Sequence, residues 1–390
     1  MERACQKGWH VGKENMKFIK TDDLRPGMRL AKPIYNKIGV MLYERNSKLT
    51  MQGIVAIQNF GFLGIYILEP AEPVPPMTQA DIDFERFQTM NVFSIQEELE
   101  TILMTRRLAK MPTIVANIIK NYGHLDKKIN FIQNLRSKED YIYKHSLNVA
   151  ILCAMITHVL NLRVDEQLEA VQAAIIHDIG KLTVPKAIMD KDILSAEEQG
   201  AIRAAEIQGF NIIDIAFSSS PNIKRICSQA QKALESIKTG EDISSLKMVN
   251  GAKVLTVAEA FDTMTAMQVE KAPESEVAAI KHLLDNPQVY DPKIVTGLIR
   301  SINILHPGVS VELNTGEKAL VLAANEQNIL EPMVLMFGDN SIVDLSDRDM
   351  FGDLEIKDIM KTMDNRHVMD MDLLKQQGIK VEEPEYIAVT

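Results

Sequence analysis

The spacing of apolar positions changes along the chain, and each change marks a segment. From Met16 to about Pro70 apolar residues come in short runs. These are punctuated by Arg25-Pro26-Gly27-Met28, by the stretch from Asn36 to Gly39, and by Gly61 to Gly64. Val40 to Tyr43 and Gly64 to Leu68 read as strands, so residues 16–70 are expected to form a small α+β domain. Residues 1–15 are polar and unpatterned and are expected to be a disordered leader. The Pro-rich run from Glu69 to Pro76 points to a linker over residues 71–79. Residues 80–139 read as connecting helices with polar faces, and residues 140–304 are strongly helix-periodic. After Pro307 the period drops to two. Val309, Val311 and Leu313 alternate, Asn314-Thr315-Gly316-Glu317 gives a turn, and Ala319 to Leu322 gives a second strand. Met333 to Phe337 reads as a third. A β extension is therefore expected over residues 305–345, and the charged, Met-rich residues 346–390 are expected to be a tail. The fold class is mainly α: a helical bundle with a small N-terminal α+β domain and a short C-terminal β extension.

Composition narrows the function classes. With 53 acidic against 43 basic residues the formal charge is −10, which argues against a nucleic-acid polymer as partner. Twenty-one methionines against 5% aromatics favour helices packed with aliphatic and thioether side chains. The three cysteines, Cys5, Cys153 and Cys227, form no CxxC pair, which points to a reducing compartment. No stretch reaches the roughly 18–20 uninterrupted apolar residues that a membrane span needs. A cytoplasmic location is expected.

Within the helical region a few polar residues stand where apolar ones should. Ile142, His145, Val149, Leu152, Ile156 and Val159 follow 3,4,3,4,3 spacing, which puts His145 on a buried stripe. It reads either as a core histidine satisfied by one hydrogen bond or as a ligand. Leu168, Val171, Ile175 and Asp178 again share a face, with His177 beside Asp178 and Gly180 as a natural helix stop. A buried carboxylate needs a partner or a metal. His145, His177 and Asp178 therefore read either as an N/O cluster for a divalent transition metal or as a polar core pair with a nearby histidine. Leu255, Glu259, Asp262 and Ala266 make a third face. Glu259 has room to reach inward between Ala258 and Ala260; the alternative is an exposed Glu and a cap-like Asp at a bend.

Three strings carry a family resemblance: HSLNVA at 145–150, HDIGKLTVP at 177–185 and VLTVAEAFDTMTA at 254–266. They resemble the HD superfamily and, within it, the HD-GYP family of bacterial signalling proteins. Members of that family are typically cyclic di-GMP phosphodiesterases with a two- or three-metal site on an HD-type helical bundle. The resemblance implies four metal ligands, His145, His177, Asp178 and Glu259, for one divalent transition metal such as Fe or Mn. It implies catalytic roles for Asp178 and Lys181, the latter near phosphate. The sequence departs from the family at several places. Ala205 stands where the family has a further His. Residues 226–249 contain no His and no Gly-Tyr-Pro, and QVEKAP replaces an Arg-Pro-Tyr-like segment.

Two functional readings stand. In one, the chain is a degenerate HD-GYP protein with lost or much reduced cyclic di-GMP phosphodiesterase activity, acting by ligand or partner binding. In the other, it is a one-metal phosphohydrolase cleaving a cyclic dinucleotide or a small phosphate ester. Lys181, Lys186, Arg203, Lys224 and Arg225 are candidates for a phosphate pocket, ordinary solvated charge being the alternative. The expected partners are a cyclic dinucleotide or another phosphate-containing small molecule, protein signalling partners, and a second copy of the chain. The stripe Ile95, Leu99, Ile102, Leu103 could serve a homodimer or pack inside the monomer.

Overall fold

The computed structural model describes residues 16–359, apart from 27, 36–39, 45–46, 60–63, 69–77, 134–135, 190, 192–194 and 268–272. The expected leader, nearly all of the expected linker and the end of the expected tail lie outside the described residues. Among those described, no helix is long and apolar enough to cross a membrane. The chain divides into two compact units. One is essentially residues 77–304, and the other contains the segments on either side of it.

In the N-terminal segment the elements are β1 (Met16–Lys20), β2 (Arg29–Leu30), β3 (Ile34–Tyr35), β4 (Met41–Tyr43), α1 (Met51–Asn59) and β5 (Gly64–Leu68). Strands β1, β5 and β2 form an antiparallel sheet in that order. Its core gathers Leu30, Leu49, Ile54, Ile57 and Ile67. This matches the expected α+β segment.

After residue 304 come β6 (Ser310–Leu313), β7 (Lys318–Ala323), β8 (Met333–Met336), β9 (Ile342–Asp344) and β10 (Ile356–Ile359). They make one antiparallel sheet in the order β10-β6-β7-β8-β9. Gly316, at φ +83°, makes the β6–β7 turn that the sequence marks. The expected boundary at residue 345 is corrected. Strand β10 pairs with β6, Ile356 opposite Leu313, so the sheet reclaims part of the expected tail. Asn314 ties that part down: its backbone N–H donates to the Glu355 carbonyl, and its side chain to that of Asp353. An edge strand covered on one face shows too little apolar alternation to stand out in sequence.

The helical unit runs through α2 (Gln79–Thr105), α3 (Met111–Tyr122), α4 (Tyr141–Val159) and α5 (Val164–Ile176). It continues with α6 (Lys186–Met189), α7 (Ala196–Ala216), α8 (Asn222–Thr239), α9 (Asn250–Thr265), α10 (Glu276–Asp285) and α11 (Pro292–Ser301). The short α12 (Arg348–Phe351) belongs to the C-terminal segment. Helix α2 starts on a capping box made by Thr78 and Asp81. Of its stripe, Ile95, Leu99 and Ile102 are fully buried inside the chain, while Leu103 is half-buried. Buried Glu98 accepts the backbone N–H groups of Ala109 and Lys110 (3.0 and 2.5 Å), capping the start of α3 with a carboxylate.

Helix α4 is the axis of the unit. Every residue from His145 to Thr157 is buried, where the sequence pattern suggested a single stripe. A helix surrounded on all sides must be apolar all round. Helices α2, α3, α5, α9 and α11 supply that surround. The described residues between α3 and α4 form no helix. They are held by a parallel bridge between Ile129 and Ile302 and by the Arg136 N–H donating to the Met267 carbonyl (2.8 Å).

Candidate metal centre

Three elements bring the site together. Helix α4 carries His145 one turn from its start. Helix α5 ends at Ile176, so His177 and Asp178 fall on its exit, followed by a 3-10 turn over Ile179–Thr183. Helix α9 carries Glu259 and Asp262. The expected face of α5 holds at Val171 and Ile175, but Leu168 is exposed, because α5 leaves its first turns at the surface. Gly180 does not end the helix through a left-handed residue. A Cβ there would sit against the Ala205 carbonyl oxygen and 2.9 Å from the Glu206 Cα. One added at Gly209 would lie 2.8 Å from the Gly180 Cα. The glycine pair lets α7 touch the turn main chain to main chain.

His145, His177 and Asp178 converge, with one potential ligand atom from each within 4.8 Å of the others. The two Nε2 atoms are 3.3 Å apart. Asp178 Oδ2 lies 3.9 Å from His145 Nε2, and Oδ1 lies 3.8 Å from His177 Nε2. Glu259 stands just outside this trio, its Oε2 3.9 Å from His177 Nε2. Lys181 Nζ bridges both Asp178 oxygens at 2.7 and 2.8 Å.

The donor set fits a divalent cation. His177 Nδ1 lies 2.8 Å from the Ala174 carbonyl, which can only accept, so Nδ1 carries the proton. His145 Nδ1 lies 2.6 Å from Asp262 Oδ2, an ionised oxygen that also only accepts. In the neutral rings both Nε2 lone pairs then face each other across the 3.3 Å gap, beside a carboxylate. A cation between them would satisfy all three. Zinc, iron and manganese all accept such an N/O set.

Electrostatics follow from burial. Burial alone would push the Asp178 carboxyl up, but Lys181, His177 and His145 outweigh it and hold the group well below the usual carboxylate range. Burial would push the Lys181 ammonium down; Asp178 and Glu259 outweigh it and raise it. Asp262 is likewise opposed by burial but held low by Arg136 and His145. Burial pushes the Glu206 carboxyl up.

Beside the trio opens a cavity of about 530 Å³ whose lining includes Asp178, Lys181, Arg203, Glu206, Lys238 and Glu259. Of the expected phosphate-pocket cations, Lys181 and Arg203 line it. Lys224 instead pairs with Asp214 at 3.1 Å, Arg225 points to solvent, and the Lys186 side chain lies outside the described residues. Lys238 was not expected. Asp262 is neither a bend residue nor at the cavity: it is fully buried in the last turn of α9 and engaged by Arg136. Sequence reasoning missed Arg136, Gln133 and Asn148 altogether. The available signal was Asn148, a polar residue three positions after His145 in an apolar helix.

Residues 130–294 match the family model described as HD domain. A cyclic di-GMP phosphodiesterase of Pseudomonas aeruginosa is 24% identical over 204 residues, which is 52% of this chain and 49% of that protein. A cyclic di-GMP phosphodiesterase of Borreliella burgdorferi is 26% identical over 205 residues, 51% of this chain and 53% of the other. A 3'3'-cGAMP-specific phosphodiesterase of Vibrio cholerae is 22% identical over 206 residues, 52% and 44%. The chain thus spans about half the length of the curated relatives it matches. Among solved structures, an HD-GYP-type protein of Bdellovibrio bacteriovorus aligns over 73% of this chain and 98% of its own. That alignment has a TM-score of 0.40 and 16% identity.

Proposed function

We propose that this chain, an HD-domain protein of the HD-GYP family, holds one divalent transition metal and binds a cyclic dinucleotide or related phosphate beside it. Its cyclic di-GMP phosphodiesterase activity is lost or much reduced. The observation that carries this reading is the composition of the cavity wall. His145, His177 and Asp178 are the one group fit for a metal among the described residues, and Glu259, 3.9 Å from His177, is within reach as a fourth ligand. Apart from His177, the residues lining the cavity include no histidine. Ala205 stands one residue before Glu206, and α8 contributes Gln231, Glu235 and Lys238. Two of the relatives are cyclic di-GMP phosphodiesterases, which supports a cyclic dinucleotide as the ligand class.

The residues divide the work by chemistry. A bound ion supplies Lewis-acid polarisation of a phosphoryl oxygen. His145 and His177 present unprotonated Nε2 atoms, Asp178 supplies charge, and Glu259 closes the set. Lys181, with Arg203 and Lys238 across the cavity, offers cations to phosphodiester oxygens. With no second metal-fit group among the described residues, the site would lack one of the charges that a two-metal hydrolase places on the transition state. The loss of one preorganised stabilising group alone costs about 10²–10³ in rate. The alternative, a one-metal hydrolase of a small phosphate ester, is favoured by Lys181 standing beside the trio with the cavity open in front of it. Metal analysis of the purified chain, with turnover of cyclic di-GMP and of simple phosphate esters in Mn²⁺ or Fe²⁺, decides between them. Bound metal and cyclic dinucleotide binding without turnover supports the proposal. Turnover abolished by His177→Ala supports the alternative. Absence of metal uptake would sink both.

A further inference from the structure

Two fully buried opposite charges lie not in the cavity but behind the trio. The side chains of Arg136 and Asp262 are both 0% exposed. Their pairing is two-pronged: NH1 to Oδ2 and NH2 to Oδ1, each 2.6 Å. An arginine fork on a carboxylate is the strong, directional form of this contact. Asp262 Oδ1 also accepts from the Gln133 and Asn148 amides at 3.1 and 3.2 Å. Oδ2 accepts from His145 Nδ1 at 2.6 Å. Gln133 is itself fixed, its Oε1 accepting from Arg136 (2.8 Å) and Asn148 (3.0 Å).

Asp262 therefore has five donors and a neutralising guanidinium. It needs no metal and has no free lone pair to offer one. A buried ion pair is roughly neutral for stability against apolar residues of the same size, so stability alone does not account for it. The pair does act on one thing within reach of the cavity, the imidazole of His145. Asp262 accepts its Nδ1 proton, which leaves Nε2 as the only ring atom able to ligate. Tyr141, whose ring stacks on His145 at 5.6 Å between centroids and 20° between planes, holds the ring's tilt. The Arg136 guanidinium lies 5.3 Å from the centre of the same tyrosine ring.

We propose that Arg136 and Asp262 are positioning residues, which hold His145 in the tautomer and orientation that present Nε2 to His177 and Asp178. This rests on the reading of the trio as a metal site. The segment before α4 thereby has a function: it delivers Arg136 into the core behind the ligand. Partners of this kind, one shell out from the ion, typically account for 10–100-fold in metal affinity.

The test has two arms on the full chain. In the first, ¹⁵N NMR of the imidazoles in chelator-treated protein reads the tautomers. The wild type should show His145 protonated at Nδ1. Asp262→Asn, which can donate as well as accept, should move His145 toward the Nε2-protonated form. His177, held by the Ala174 carbonyl, should not change and serves as the internal control. In the second arm, calorimetric titration with Mn²⁺ should show a 10–100-fold loss for Asp262→Asn and a smaller loss for Arg136→Lys, which keeps charge without the fork. A wild-type His145 protonated at Nε2 overturns the proposal with no variant needed. So does an Asp262→Asn chain that binds Mn²⁺ within threefold of the wild type. A wild type that takes up no Mn²⁺ at all sinks the metal reading instead, and the tautomer comparison still decides the positioning claim.

Discussion

Lys181→Met removes the ammonium that bridges both Asp178 oxygens while keeping the length of the stem. Without a bound ion, the change leaves a buried carboxylate without its ammonium, with Glu259 close by. Breaking a buried pair by removing one partner usually costs about 3–5 kcal/mol. Lys181 is 29% exposed on its side chain, so water recovers part of that, and we expect a loss of about 2–3 kcal/mol. In a domain of this size that is a melting point lower by roughly 5–10 °C. With a divalent ion the balance reverses. The ion's two charges meet Asp178 and Glu259 and no longer compete with an ammonium at the same carboxylate. Like charges about 4 Å apart near a protein surface cost about 4 kcal/mol. A lysine that swings into the cavity avoids most of this, so the expected gain for the variant is at least about tenfold in Mn²⁺ affinity, roughly 1.4 kcal/mol. Thermal melts of chelated and Mn²⁺-loaded protein, with titration calorimetry, measure both halves. The variant should melt below the wild type in chelator and gain more from Mn²⁺. A variant that loses metal affinity along with stability would show that Lys181 orients Asp178 for the ion, and the competition argument would be wrong.

Three further outcomes follow from the same geometry. Gly180→Ala places a methyl against the Ala205 carbonyl and α7 backbone, where no rotamer can yield; urea denaturation should show a loss of about 3 kcal/mol, and a wild-type midpoint would refute the close contact. Asp178 and Asp262 titrate below their unfolded value near 4, so their contribution is complete above that pH and is lost as pH falls toward their folded values; the metal-free chain should lose up to about 1.4 kcal/mol per pH unit per group below pH 4, and flat stability between pH 5 and pH 3 would contradict it. Burial pushes the Cys153 thiol up and leaves it inaccessible in the centre of α4, so iodoacetamide followed by peptide mass spectrometry should find it modified only at the rate of unfolding; prompt labelling in native buffer would refute this.

Much of the candidate site was legible because its polar residues break an apolar period. His145 and Asp178 stand at positions where the helical pattern calls for Leu or Ile, and the structure brings them together with His177. Glu259 was legible by the same rule, though it stands slightly apart from the trio. Asp262 shares that period too, but spacing cannot say which carboxylate faces the cavity and which faces away. Arg136 was invisible because it lies on an irregular segment, where no period sets an expectation that a buried charge could violate. The all-round burial of α4 is a tertiary fact: a stripe shows which side is buried first, not how many neighbours arrive later. Strand β10 escaped for the reverse reason, being an edge strand too short and too charged to carry an alternation of its own.

The glycine contact between α7 and the turn after Asp178 has a mechanical consequence. Side chains that meet in a core absorb small displacements by changing rotamer; two backbones in direct contact have nothing to rotate. Helix α7 and the turn therefore move as one stiff lever, with Asp178 and Lys181 at one end. On the outer side of the same helix Ile207 and Ile215 stand exposed. A push on that outer surface arrives at the carboxylate and its ammonium undamped, and amide exchange over residues 178–181 and 205–209 should rise and fall in step.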